Sequence, residues 1–172
     1  AELLRCVASL KEDQQFYIIF YSDAVYPLFY PRPVDRYIRP TVPNQQRLAA
    51  WLETVELCLG DAVLDALHAA AMIEPDTVLL LRDGRVQGNK KMAALLRGGG
   101  DFPLHTIGIG LSAGAVVSRR NLADIAAANG GEFREAAVSD DMRELARQRP
   151  RIYHSERPGL VWGQKVKPWG AR

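Results

Sequence analysis

Asp83 stands directly after the most apolar run of the chain, Thr77-Val-Leu-Leu-Leu81, in the segment Arg82-Asp83-Gly84. A carboxylate placed there leaves the carboxyl end of a rigid strand, which is where ligands meet an open parallel sheet. Asp-Gly is also a common turn dipeptide, so the same residues serve equally as a plain turn. Two more segments end their strands with polar or small residues, Tyr21-Ser22-Asp23 and Gly108-Ile109-Gly110. Gly110-Leu-Ser112-Ala-Gly114 has the G-x-S-x-G form of a hydrolase nucleophile turn, and Asp140 or Asp141 and then His154 follow in hydrolase order. That chemistry needs Ser112 on a sharp strand-to-helix turn, whereas the next helix is expected only from Ser118, and too few strands precede it. A serine hydrolase using Ser112, Asp140 or Asp141, and His154 is thus the enzymatic alternative, and a loop rich in small residues is the plainer expectation. Gly108, Gly110 and Gly114 miss the phosphate-cradling G-x-G-x-x-G spacing, because position 113 is Ala. His68 and His105 fall mid-helix and mid-strand, as satisfied core histidines do.

The elements that must position these residues follow from periodicity. Leu3, Leu4, Val7 and Leu10 recur at three- and four-residue steps, which predicts a helix over Glu2–Leu10. Phe16–Tyr21 is a continuous β-branched and aromatic run, expected as a strand buried on both faces. Ala24–Tyr30 reads as a shorter strand, and Pro27 assigns it to an edge. A proline-rich loop, Pro31–Pro43, follows. Asn44 stands in N-cap position for a helix from Gln45 to about Leu57, and Asp61 in the same position for Ala62–Ile73. Thr77–Leu81 and Leu104–Ile109 read as strands, with a helix at Asn89–Arg97 between them. Ser118 is expected to cap a helix over Arg119–Asn129 that closes on Gly130-Gly131, before a strand at Glu132–Val138 and a helix at Asp140–Arg147. Strands alternating with helices predict an α/β layered domain with a mostly parallel sheet.

Composition bounds the classes. Of 172 residues, 48% are hydrophobic and 24% charged, which excludes wholesale disorder. The net charge of +2 is too small to argue by itself for nucleic acid or a membrane surface. It is unevenly spread, because residues 149–172 carry Arg149, Arg151, Arg157, Lys165, Lys167 and Arg172 against Glu156 alone. Residues 1–148 therefore form a mildly acidic domain and 149–172 a basic tail containing Trp162 and Trp169. Nucleic-acid binding through that tail is a further alternative, although scattered charges of this kind more often mark a solvated extension. Cys6 and Cys58 form no CxxC unit; two buried thiols or one bridge both suit them. No apolar run is long enough to span a bilayer, and no basic, apolar leader opens the sequence.

Five segments in order carry a resemblance. They are Phe16–Asp23; Pro43-Asn44 leading to Trp51-Leu52; Leu59-Gly-Asp-Ala-Val-Leu-Asp-Ala-Leu67; Pro75-Asp-Thr-Val-Leu-Leu-Leu-Arg-Asp-Gly84; and His105–Gly110 with Leu122–Arg134. Together they resemble a von Willebrand factor type A (VWA) domain of the bacterial branch, over roughly residues 1–138. The resemblance implies a Rossmann-like three-layer α/β sandwich that binds a partner protein, without catalysis, often through a metal-ion-dependent adhesion site. Such a site takes D-x-S-x-S after the first strand, a Thr at a later helix and an Asp after the fourth strand. Here the sequence opens at the helix that would follow the first strand, so the usual first central strand and D-x-S-x-S are missing. Asp61 stands at the Thr position and Asp83 at the Asp position, with Arg82 where a Thr is usual. The resemblance therefore implies a degenerate metal site of Asp83 and Asp61, no resident cofactor, and Mg2+ only if missing ligands are supplied upstream. It implies a protein partner rather than nucleic acid. It also implies a gap between Phe16–Tyr21 and Thr77–Leu81, closed directly or by pairing in trans rather than by the basic tail.

Overall fold

Phe16 and Ile18 are buried while Tyr17 and Ile19 are half-buried, so this segment obeys the two-residue alternation of a strand with one face on a core. The structure, a computed structural model, describes residues 2–55, 57–58, 60–83, 102–148 and 153–154. It divides into two compact units, Ala1–Ala66 with Arg151–Arg172, and Leu67–Pro150. The fold is mixed α/β, with a three-stranded parallel sheet flanked by helices.

In the first unit, α1 (Glu2–Ala8) is shorter than the apolar spacing predicts, because the Ser9 hydroxyl donates to the Cys6 carbonyl at 2.8 Å and ends the helix. Strand β1 (Ile19–Tyr21) pairs antiparallel with β2 (Val25–Pro27), Ile19 opposite Pro27 and Tyr21 opposite Val25. The expected long strand buried on both faces is therefore a short hairpin arm of half-buried residues. Phe16 instead makes an isolated antiparallel bridge to Ile38, with bonds of 2.9 and 3.0 Å between their backbones, so the proline-rich loop supplies its partner. Pro27 does lie in a two-stranded ladder, where its missing N–H is tolerated.

Helix α2 (Val42–Thr54) starts before the expected Asn44 cap. Thr41 is the N-cap, and a proline in the first turn brings its fixed φ to a place where no donor is needed. The Asn44 side chain reaches back to the Arg39 carbonyl at 2.9 Å instead. Helices and hairpin enclose Val7, Phe16, Ile18, Ala24, Tyr26, Leu28, Phe29, Leu48 and Trp51. Leu28 and Leu48 are 0% exposed, each removing enough apolar surface from water to contribute roughly 1.5–3 kcal/mol. Phe29 holds a left-handed φ of 65°, a costly backbone for an aromatic residue. Its ring meets Trp51 edge-on at 5.6 Å, and the Arg47 guanidinium lies 3.8 Å above it. A parallel pair, β3 (Leu57–Cys58) with β7 (Tyr153–His154), belongs to the same unit. The tail thus contributes a strand where no pattern predicts one.

Helix α3 (Val63–Ala71) carries the boundary between the units. The first bond of its turn runs from Ala66 N–H to the Ala62 carbonyl at 3.0 Å, so Asp61 precedes the cap position rather than filling it.

In the second unit, β4 (Val78–Arg82), β5 (Leu104–Ile109) and β6 (Phe133–Ala136) form the parallel sheet in that order. Among the described residues β4 ends this order, and Leu79 is 45% exposed. The described ladders join β1 to β2 and β4 to β5; direct closure of the expected gap is not among them. Helix α4 (Val116–Ala128) links β5 to β6 and begins before Ser118, which therefore lies within it. Its end is a Schellman turn: Gly131 N–H donates to the Ala126 carbonyl at 2.9 Å and Gly130 takes φ 66°. A Cβ on Gly131 would collide with the Leu104 carbonyl, so glycine is required where the chain returns to the sheet. Thr106, fully buried on β5, donates to the Leu122 carbonyl of α4 at 2.8 Å. Helix α5 (Asp140–Gln148) follows, capped by Ser139. The helix expected at Asn89–Arg97, and the tail apart from residues 153–154, lie outside the described residues.

The Tyr17 hydroxyl donates to the Val34 carbonyl at 3.0 Å, and burial raises its pKa from 10.0 to about 12. Between those values the unfolded chain gives up a proton that the folded one keeps, so stability falls as pH rises. Urea midpoints are expected to hold below pH 10 and drop toward about pH 12. Tyr17→Phe should flatten that drop and remove one phenolate step near pH 12 from the ultraviolet titration.

Candidate functional site

At the carboxyl end of β4, Arg82 is 8% exposed and Asp83, the next residue, is exposed. Beside it in the sheet, β5 runs out through Gly108-Ile109-Gly110. Gly110 takes φ 61°, and its N–H donates to the Ala136 carbonyl at 3.0 Å. Asp83 and this turn therefore occupy the same edge of one parallel sheet, the edge where ligands meet such sheets. That placement matches the expectation drawn from the strand pattern.

Arg119 organises the loop between β5 and α4. Its Nε and Nη2 donate to the two carboxylate oxygens of Glu135 on β6, at 2.6 and 3.0 Å. Its Nη1 donates to the carbonyls of Ser112 at 2.9 Å and Ala113 at 3.2 Å. One guanidinium thus ties a loop, a helix and a strand. Its hydrogen bond to Arg119 lowers the pKa of Glu135, and the same bond raises that of Arg119. The pair is solvent-exposed, so it supplies geometry more than stability. Arg119 and Glu135 lie outside every short motif, and only the β5–α4–β6 connection joins them.

Ser112 is exposed on that loop. Residues 110–115 separate β5 from α4, so Ser112 is not on the sharp elbow a hydrolase requires. Among the described residues, the non-glycine positions with positive φ are Phe29 and Glu74, not Ser112. Asp140 and Asp141 form the first turn of α5. His154 belongs to the first unit, opposite Cys58 in the β3–β7 pair. The second unit, which holds the serine, does not assemble the hydrolase set by itself.

In the first unit, the Ser22-Asp23 turn forms its own polar cluster. Asp23 Oδ1 accepts from Ser22 Oγ at 2.9 Å and from the Tyr26 hydroxyl at 2.8 Å. Gly60 packs so closely on the Asp23 backbone that a Cβ there would clash, and Ala62 N–H donates to the Ser22 carbonyl at 2.7 Å. These two contacts bracket Asp61 and bring it to Ser22. The three-residue spacing of Asp23 and Tyr26 across a hairpin turn is the sequence signal for this cluster. Asp61 belongs to the first unit and Asp83 to the second.

Among the described residues, no three His, Cys, Asp or Glu side chains group to hold a metal ion. Two carboxylates, one of them next in sequence to an arginine, are by themselves too few donors for a hard divalent cation seeking about six oxygens. Comparison with models of known protein families and with curated proteins gives no match in either case. No helix among the described residues is long and apolar enough to cross a membrane.

Two outcomes follow from these contacts. Glu135→Gln removes the charge partner of Arg119, and exchange of the Ala115 amide, which is bonded to the Ser112 carbonyl that Arg119 holds, is expected to accelerate by about two- to fivefold relative to its intrinsic rate. In the native protein that protection, taken relative to the intrinsic exchange rate, is expected to be full above the ordinary carboxylate range and to be lost as pH falls through the lowered pKa of Glu135. Calorimetric titration with magnesium is expected to give at best millimolar-class binding, about −4 kcal/mol.

Proposed function

We propose that this chain is a VWA-like protein-interaction domain of the adhesion or assembly type, without catalytic activity and with a degenerate metal site. Its recognition edge is the carboxyl end of the β4–β5–β6 sheet. The observation that carries the reading is Asp83 standing exposed at the end of β4 beside the Gly110 turn, on one edge of a parallel sheet. The order of strands and helices through residue 138 supports it. An exposed carboxylate on a rigid strand end, next to a loop fixed by Arg119, offers a partner a preformed polar contact with little ordering cost. The chain's own donors leave Mg2+ dependent on ligands supplied from outside the described residues.

The experiment is site-specific photo-crosslinking in cells, with the probe at position 83 or 112 on the carboxyl edge and at 77 or 103 on the opposite edge. Discrete protein adducts are expected from the first pair, with Asp83→Lys weakening a crosslink from position 112 by about tenfold. Equal crosslinking from both edges would overturn the reading. Ester hydrolysis lost on Ser112→Ala would replace it with the enzymatic alternative.

A further inference from the structure

Asn129-Gly130 is the one place in the sequence where an asparagine precedes a glycine; Asn44, Asn89 and Asn121 precede Gln45, Lys90 and Leu122. Lacking a Cβ, a glycine leaves its backbone nitrogen open to the side chain before it. Gly130 is exposed, takes φ 66°, and has nothing within 4 Å of where a Cβ would stand. Asn129 is half-buried at the C-cap of α4. Its polar groups and the Gly130 nitrogen are all engaged. Asn129 Nδ2 donates to the Ile125 carbonyl at 2.7 Å, and the Asn129 carbonyl accepts from Leu104 N–H at 3.2 Å. Gly130 N–H donates to the Ala127 carbonyl at 3.4 Å. For that nitrogen to reach the side-chain amide carbon, it must eclipse the Asn129 Cβ about the bond from Cα to the carbonyl carbon. At ψ 25° it nearly eclipses Asn129's own nitrogen instead. Turning it round swings the carbonyl off Leu104, where β5 begins.

We propose that Asn129 is a self-modification site, closed in the folded turn and converted to a carboxylate when the end of α4 opens. Solvent base takes the Gly130 amide proton, and the nitrogen attacks Asn129 Cγ. A bond forms between them, the bond from Cγ to Nδ2 breaks, and Nδ2 takes up a proton and leaves as ammonia. Water then opens the cyclic imide at either carbonyl carbon. Attack at Cγ leaves aspartate; attack at the main-chain carbon leaves isoaspartate, whose backbone runs through the former side chain. Neither product makes the original contacts. A carboxylate cannot donate to the Ile125 carbonyl, and its charge opposes the negative end of the α4 dipole. Isoaspartate also lengthens the backbone by one carbon where the turn is closed. An opening that reacts is thereby recorded permanently, and the marked chain opens more often. The site does not depend on the role given to Asp83.

The test incubates the full chain at mildly alkaline pH without urea, in urea below the unfolding transition, and in denaturing urea. Peptide mass spectrometry reads the amide-to-acid mass gain at residue 129. Asp83-Gly84 can close the same ring, but it loses and regains water and leaves the mass unchanged. Conversion is expected to be at least about tenfold slower in the folded than in the unfolded chain. Through sub-denaturing urea it should rise in parallel with exchange of the Leu104 amide, because both report the same open population. Asn129→Asp, the product without the rerouted backbone, should speed exchange of the Leu104 and Gly131 amides by about two- to tenfold. Equal conversion in folded and unfolded chains would overturn the proposal, as would a residue 129 that stays an amide in both. So would conversion that does not follow Leu104 exchange, or an aspartate variant whose amides exchange as in the native chain.

Discussion

A parallel strand cannot reach its neighbour by a tight turn, and the second unit is organised around that constraint. To lie beside β5 in the same direction, β6 must be reached by way of a helix on the sheet face. Thr106 joins the two layers from inside, because its buried hydroxyl satisfies itself on the Leu122 carbonyl and fixes how α4 rests on β5. Leu122, Ile125 and Ala126 close that contact. Gly131 then lets the chain pass against Leu104 on its way back to the sheet. Everything at the carboxyl edge inherits its position from this packing, from the Gly110 turn to the reach of Arg119.

The first unit meets a different demand. It has little sheet to share, so aromatic side chains fill the space between a hairpin and two helices. Trp51 stands 5.2 Å from Phe20, and its indole N–H donates to the Tyr30 carbonyl at 2.9 Å. That bond leaves the buried ring no unsatisfied donor. The unusual backbone of Phe29 is tolerated because its ring is held by Arg47 over one face and by an edge-on contact with Trp51.

Patterning made much of this visible in advance. Leu104–Ile109 has the boundaries that its apolar run predicts, because a strand inside a parallel sheet is limited by where its apolar residues end. Gly130-Gly131 marked the close of α4 for a reason that the backbone bears out. Boundaries governed by other effects were not legible. Thr41 and Pro43 outcompeted Asn44 as a start signal, and Phe16–Tyr21 looked like a long central strand although its partner comes from a proline-rich loop. The end of β4 at Arg82, which puts Asp83 at the carboxyl edge of the sheet, was readable because one strand alone determines it. Arg119 and Glu135 were not, since their meeting depends on a crossover that no local spacing encodes.

The pairing of Leu57–Cys58 with Tyr153–His154 bears on the order of synthesis. A ribosome delivers α1, both arms of the hairpin and α2 first, yet β3 then waits while the whole second unit is made. β5, α4 and β6 are contiguous in sequence and can close among themselves as they emerge. Of the described strands, the first unit acquires β7 only afterwards, when it leaves the exit tunnel. Two residues of backbone pairing thus join segments made before and after the whole second unit, and a nascent chain stalled before Tyr153 would present β3 without its partner.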